Sequence, residues 1–257
     1  NYAMLELGEP LHAFDYDVLV QRAGGKTPTI ITRPAKHGET LTTLDGVERK
    51  LDDFTVLVCD TAGSLSIGGI MGGLESEVTE NTRNVLLEGA SWNFINVRKT
   101  LVAQRMSSEA AYRFSRGVHP AMAPRGVSRG LELMRQWSGG VVDAGLVDEY
   151  PRPAEVVQVE ISPADAKRWL GVALSNEEMS KILTSLGFEV KQQGDGLRVT
   201  VPDHRLDIET GVVGKADLME EVARIYGYDN IPATRIADAL PPQHGNPPLE
   251  LEERVKD

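Results

Sequence analysis

The stretch IGGIMGGLESEVTENTRNVLLEGASW, residues 67–92, decides how the first half of the chain is read. Strand-like runs flank the motif GGIMGG, in which Gly68, Gly69, Gly72 and Gly73 surround an Ile-Met pair. Glycine inside a strand costs roughly 0.5–1 kcal/mol relative to Ala. Four of them mark a place where something passes close to the backbone. A phosphate cradle is one reading, but Leu74 and Glu75 follow where a Walker A loop needs lysine, and G-x-G-x-x-G is absent. Two readings stand: tight packing or a bulge between backbones, and the wall of a ligand pocket. Further on, Glu88 follows Val85-Leu86-Leu87 and precedes Gly89-Ala90. A carboxylate on a hydrophobic strand is costly unless something satisfies it. That partner is either an arginine such as Arg113 or Arg116, or the hydroxyl of a ligand.

Outward from this stretch, TVLVCD (55–60) reads as a buried strand and ETLTTLDGVERKL (39–51) as a hairpin with Asp45-Gly46 in a type I′ turn. SSEAAYRFSRG (107–117) reads as a helix stopped by Gly117. The next helix presents Val127, Leu131 and Met134 on one face and ends at Gly139-Gly140. EYPRPAEV (149–156) has the prolines of a linker. Beyond it Ser162, Pro163 and Gly171 cap, start and stop one helix. Ser175 and Glu178 are spaced as a capping box for a second, with Met179, Ile182, Leu183 and Leu186 as its stripe. A hairpin turns around Gly194-Asp195-Gly196. A third helix is capped by Asp217 and turns Leu218, Val222 and Ile225 inward. Helix, helix, hairpin, helix resembles a winged helix. The Pro-rich, then charged, tail reads as a linker into a further domain.

The chain has 257 residues, enough for two ordinary domains, with 41 % hydrophobic and 25 % charged residues. No apolar run approaches the ~18 residues of a membrane span. The opening NYAMLELGEP lacks the features of a signal peptide and does not start with Met, so a fragment is expected. One cysteine, Cys59, excludes an internal disulfide, and the cytoplasm is the default compartment. A formal charge of −11 argues against a general nucleic-acid binder.

Nucleophilic chemistry finds little support: Cys59 lies in a strand run, and there is no G-x-S-x-G elbow. The five histidines show no zinc spacing, and His12 in GEPLHAFD reads by itself as a structural histidine. The acidic set Asp207, Asp217, Glu220 and Glu221 has two readings. Three of the four fall in the first turn of the expected helix, where acids favour the macrodipole. Four converging carboxylates would instead suit Mg²⁺, which takes oxygen ligands.

NYAMLELGEPLHAFD, IGGIMGGLESEVTENTRNVLLEGASW, SSEAAYRFSRGVHP and DLMEEVARIYGYDNIP together resemble the β subunit of bacterial phenylalanyl-tRNA synthetase, in the family's order through nearly the whole chain. The resemblance implies an α+β fold: a B3/B4-type editing domain over 1–150, a winged-helix-like B5-type domain over 151–235, and a linker over 236–257. It implies a central piece of a longer subunit. It also implies an α2β2 enzyme that joins phenylalanine to tRNA(Phe) with ATP and Mg²⁺, its synthetic site in the α subunit, and a B3/B4 domain that hydrolyses Tyr-tRNA(Phe). Position by position, Glu88 matches the glutamate that recognises the tyrosyl hydroxyl, and His12 the editing histidine. Asn1 matches an asparagine near the substrate amino group. Gly72, Ser108 and Ala110 match pocket residues, and Asp207, Asp217, Glu220 and Glu221 match acids that share Mg²⁺ with the α subunit. IETGVVGKAD lengthens the spacing between Asp207 and Asp217. Two competing readings are a non-catalytic structural or tRNA-contacting module, and a nucleic-acid-binding regulator that the acidic balance disfavours.

Overall fold

The computed structural model describes residues 1–233 and 245–256. Its first part comprises, in chain order, α1 (Tyr2–Leu7), β1 (Leu11–Asp15), α2 (Tyr16–Arg22), β2 (Ile31–Pro34), β3 (Thr40–Thr42), β4 (Glu48–Lys50), β5 (Val56–Cys59), β6 (Ser64–Ile67), β7 (Met71–Gly72), β8 (Val85–Gly89), α3 (Phe94–Gln104), α4 (Glu109–Phe114) and α5 (Met122–Ser138). The mixture of helices and antiparallel sheets is α+β. The runs VLVC and VLLEG form strands because branched and leucine side chains pack well on a half-buried pleated surface. β5 sits inside an antiparallel sheet of order β2-β5-β6-β7. β1 and β8 form a separate two-stranded ribbon, and β3 and β4 another. The hairpin around Asp45-Gly46 is present, but its turn is wider than a two-residue type I′ turn. Gly46 donates to the Thr43 carbonyl and Thr43 to that of Val47. The Asp45 carboxylate, bonded to the Thr43 hydroxyl at 2.6 Å, favours this longer loop.

Only part of the glycine motif lies in a strand: Met71 and Gly72 form β7. Gly68, Gly69 and Ile70 form the turn between β6 and β7, closed by Ile70 N–H to Ile67 O at 3.0 Å. Gly69 has φ 71°, which only glycine takes without strain. Ser66 then pairs with Gly72.

α5 backs the ribbon and has a buried face of Gly126, Val127, Gly130 and Leu133. Leu131 and Met134 of the expected stripe are only half-buried. Two glycines rotate the face because side chains of Glu9, Leu11 and Leu87 press against the helix backbone there. A Cβ at Gly126 would lie 2.4 Å from Glu9 Cγ, and one at Gly130 2.6 Å from Leu11 Cδ1. Gly89 is likewise needed, since its Cβ would meet Val127 at 2.6 Å. The space that Gly89 leaves is therefore filled by α5. Leu57, Cys59, Ile67, Val97, Ala111 and Phe114 join the large sheet to α3 and α4, and Phe14, Leu19, Val58 and Leu65 join it to the ribbon side.

The second part runs β9 (Gln158–Ile161), α6 (Pro163–Leu170), α7 (Asn176–Ser185), β10 (Glu189–Gln193), β11 (Gly196–Thr200) and α8 (Gly211–Tyr226). The caps are as read: Ser162 accepts from Asp165 N–H, Gly171 is left-handed, and both bonds of the Ser175–Glu178 box form. β9, absent from the sequence reading, completes a three-stranded sheet of order β10-β11-β9. α8 begins at Gly211, so Asp217 lies mid-helix instead of capping it, and Glu220 and Glu221 lie beyond the first turn. Leu218 and Val222 are buried, but Ile225 is exposed. Met179, Leu183, Leu197, Val199, Leu218 and Val222 belong to one core. Residues 234–244 lie outside the described residues, and with them positions 236–244 of the expected linker; the rest of it is largely helical, with Pro247–Lys256 forming α9. No described helix is long and apolar enough to cross a membrane.

Candidate functional site

His12 on β1 and Glu88 on β8 are directly opposed in the ribbon, so their side chains leave the same face at one rung. They line a cavity of about 70 Å³ together with Pro10, Leu11, Ser66, Gly69, Met71, Gly72, Trp92, Ala110 and Phe114, among others. Glu88 Oε2 is sealed from solvent and has no hydrogen-bond partner among the described residues. The arginines that could have satisfied it are engaged elsewhere. Arg113 pairs with Glu109 at 2.9 Å, and Arg116 stacks on the Tyr112 ring at 3.6 Å. Burial pushes the Glu88 carboxyl up to about 7. Burial also pulls the His12 imidazole down, which keeps it neutral near pH 7. The imidazole packs edge-on against Phe14, centroids 4.5 Å apart, which fixes its plane. No hydrogen bond joins His12 to Glu88 or to Ser66 among the described residues, so no side chain here is arranged as an activated nucleophile.

The glycines of the motif have different neighbours. A Cβ at Gly68 or Gly69 would lie 2.6 Å from the Trp92 ring, at Gly72 2.5 Å from His12 Cε1, and at Gly73 2.4 Å from the Leu65 carbonyl oxygen. Gly69 and Gly72 line the cavity. Both earlier readings hold in part: the backbone is tightly packed, and half of the motif walls a pocket. Ala110 lies in the wall as expected. Ser108 lies behind it: its hydroxyl donates to the Ile70 carbonyl at 2.9 Å and accepts from Ala111 N–H, tying α4 to the motif. Asn1 is exposed ahead of α1 and does not line the cavity.

The sequence profile of the B3/4 domain matches residues 1–139. The chain belongs to the B3/4 domain family. A profile of the tRNA synthetase B5 domain matches residues 159–228. Curated phenylalanine--tRNA ligase beta subunits are similar over most of the chain. That of Moorella thermoacetica is 42 % identical over 91 % of this chain and 28 % of its own length. That of Bacillus subtilis is 40 % identical over 91 % and 28 %, and that of Syntrophus aciditrophicus 38 % identical over 100 % and 31 %. The chain thus spans under a third of the length of these relatives. A crystal structure of an N-terminal fragment of the phenylalanyl-tRNA synthetase beta-subunit from Pyrococcus horikoshii aligns with a TM-score of 0.44 and 19 % identity, over 88 % of this chain and 64 % of that one. The resemblance drawn from the motifs is borne out by these relatives.

In the B5 domain the four acids do not converge. Arg205 takes Asp207 at 2.8 and 2.6 Å and Glu221 at 2.9 Å, and Arg224 also pairs with Glu221. Glu220 is exposed, and Asp217 keeps one buried oxygen without a partner. No three acids, histidines or cysteines among the described residues are grouped to hold a metal. With a guanidinium between Asp207 and Glu221, these residues do not fit the octahedral oxygen shell of Mg²⁺.

The B3/4 domain holds one acid that the sequence reading passed over. Glu9 is 0 % exposed, and neither carboxylate oxygen has a hydrogen-bond partner among the described residues. Burial raises its carboxyl to about 8, against a weaker opposing pull from the Ala90 N–H. Gly-Glu-Pro reads as an exposed turn, so nothing local marked this residue. Trp92 and Phe114 were also missed as cavity walls, although both lie in the motifs that carry the resemblance.

Proposed function

We propose that the Glu88–His12 cavity removes tyrosine from wrongly acylated tRNA(Phe), within a phenylalanine--tRNA ligase whose α subunit carries the synthetic site. Aminoacylation with ATP and Mg²⁺ belongs to that whole enzyme, acting in the cytoplasm, and no step of it is assigned to this chain. The observation that carries the reading is the sealed, unpartnered Oε2 of Glu88 beside His12. A tyrosyl hydroxyl would give that carboxyl the partner it lacks. A phenylalanyl ring would leave it unpaired, at roughly 1–3 kcal/mol. An apolar pocket alone rejects an added hydroxyl poorly, so a second hydrolytic site adds selectivity.

The reaction is hydrolysis of an ester. A water oxygen bonds to the carbonyl carbon, the ester C–O bond breaks, and the terminal ribose hydroxyl of the tRNA leaves with a proton. Neutral His12 is suited to hold that water or take its proton. Gly72 gives the imidazole room to do so. The cavity volume is about half the ~150 Å³ that admits benzene, so a phenol enters only when the wall yields. Met71, half-buried and unbranched, is the adaptable part of that wall. The same small volume favours the second reading, a non-catalytic module.

Glu88→Ala in the full-length enzyme is expected to lower the ratio of Tyr-tRNA(Phe) to Phe-tRNA(Phe) hydrolysis by about tenfold to a hundredfold. Glu88→Gln, which retains a hydrogen-bonding head, is expected to lose less. Single-turnover deacylation of both substrates measures this. An unchanged ratio in Glu88→Ala removes Glu88 from recognition.

A further inference from the structure

The outer face of the helix pair α3–α4 carries a basic and aromatic cluster to which the reaction above gives no role. From Phe94 to Arg116 the sequence has five lysines and arginines, Arg98, Lys99, Arg105, Arg113 and Arg116, and one acid, Glu109, which Arg113 pairs, in a chain of net charge −11. Two of these arginines are stacked on exposed rings. Arg116 lies 3.6 Å over Tyr112, which is 57 % exposed, and Arg98 lies 5.0 Å over Phe94, which is 42 % exposed. Neither guanidinium has a carboxylate partner among the described residues. Both are held by backbone: Arg98 Nε donates to the Ser115 carbonyl at 2.6 Å, and Arg116 to that of Tyr112 at 2.9 Å. The first bond ties α3 to α4 and brings both stacks to one surface.

This surface adjoins the cavity. Ala110 and Phe114 of α4 wall the cavity, while Tyr112, two residues after Ala110, leaves another side of that helix and carries Arg116, just past its end, on its ring. Trp92 walls the cavity two residues before Phe94. Fixed guanidiniums without carboxylates attract phosphates, and exposed rings stack bases of any sequence.

We infer that the Phe94–Arg98 and Tyr112–Arg116 stacks hold single-stranded RNA next to the cavity, namely the unpaired 3′ segment whose terminal ester is hydrolysed. The inference rests on the proposed function and adds the surface that delivers its substrate. The acidic remainder of the chain would repel the strand elsewhere and confine it to this strip.

The test is binding of a short, 5′-fluorescein-labelled single-stranded oligoribonucleotide to the full-length protein, followed by anisotropy over a series of salt concentrations. Arg98→Ala with Arg116→Ala is expected to lower the slope of log affinity against log salt by about 1.4, at about 0.7 for each phosphate contact on a single strand. Arg98→Lys with Arg116→Lys is expected to restore that slope. Tyr112→Ala is expected to weaken binding roughly tenfold with little change in slope. Parental affinity and slope in the double alanine variant overturn the inference, and so does an unmodified protein that does not bind the oligonucleotide. Deacylation of Tyr-tRNA(Phe) by the unmodified protein is measured separately. Its absence defeats the proposed function, whereas oligonucleotide results defeat only this surface.

Discussion

Replacing Gly72 with Trp is expected to reduce hydrolysis of Tyr-tRNA(Phe) by about a hundredfold or more. Even a single added carbon would lie 2.5 Å from His12 Cε1, 2.8 Å from its Nε2 and 3.1 Å from a Leu44 methyl. Contacts that short force the imidazole out of its place against Phe14. Displacing a positioning group by about 1 Å costs on the order of 10²-fold. An indole would also fill the remaining volume between His12 and Glu88. Gly72→Ala separates these effects: it moves the imidazole and leaves much of the space. Its expected loss is smaller and appears in kcat, whereas Gly72→Trp also prevents binding. Both variants can keep the β6–β7 pairing, which uses backbone groups at Gly72, but overpacking costs about 1–3 kcal/mol, so a lowered melting temperature is expected and activity is compared below it. Parental hydrolysis by a folded Gly72→Trp protein defeats the assignment of this cavity.

The second large effect concerns stability. Glu9→Gln is expected to raise the melting temperature by about 5–10 °C at pH 9 and to leave it unchanged at pH 4. The folded-state value of about 8 lies above the ordinary 4.5, because the carboxyl is sealed between α5 and the ribbon end. Below pH 4.5 both folded and unfolded chains hold the proton, and burial carries no ionisation cost. As pH rises from 4.5 to about 8 the unfolded chain releases its proton and the folded one retains it, so stability falls through that window and then levels off. Each unit of displacement is about 1.4 kcal/mol, which places the total loss on the order of a few kcal/mol. Gln has the same shape and no proton to lose, so the difference between the two proteins isolates this one group. For a chain of this size 1 kcal/mol moves the melting temperature by about 2–4 °C. An offset equal at pH 4 and pH 9, or a destabilised variant at pH 9, would show that Glu9 ionises freely or has an uncounted partner.

Local signals were legible and distant ones were not. The Ser175–Glu178 box, the Ser162-Pro163 start and the Gly171 stop are short-range chemistry, and the structure repeats them. β9 escaped because prolines before it suggested a linker, yet its alternating burial at Val159 and Ile161 was present as a period of two. The start of α8 was placed seven residues late, with Asp217 instead of Thr210 as its cap. Gly211-Val212-Val213-Gly214 are poor helix formers, and close packing overrides that preference: a Cβ at Gly214 would lie 1.7 Å from the Glu209 carbonyl oxygen and 3.0 Å from Val159. α5 buries glycines where the sequence pattern sought leucine and methionine. Glu88 stood out as an acid on an apolar strand, but its pairing with His12 spans 76 positions of chain and has no local sign. Glu9 was concealed by its own turn-like setting.

That pairing has a further consequence. Acid and imidazole occupy one rung of a ribbon only two strands wide, so their meeting depends on the alignment of β1 with β8. A slip by one residue would send one of them to the reverse face against α5, where the glycines leave no room. The site therefore has no half-assembled form: damage to this alignment anywhere along five rungs would disable the proposed hydrolysis as a unit, while the large sheet keeps its own pairing.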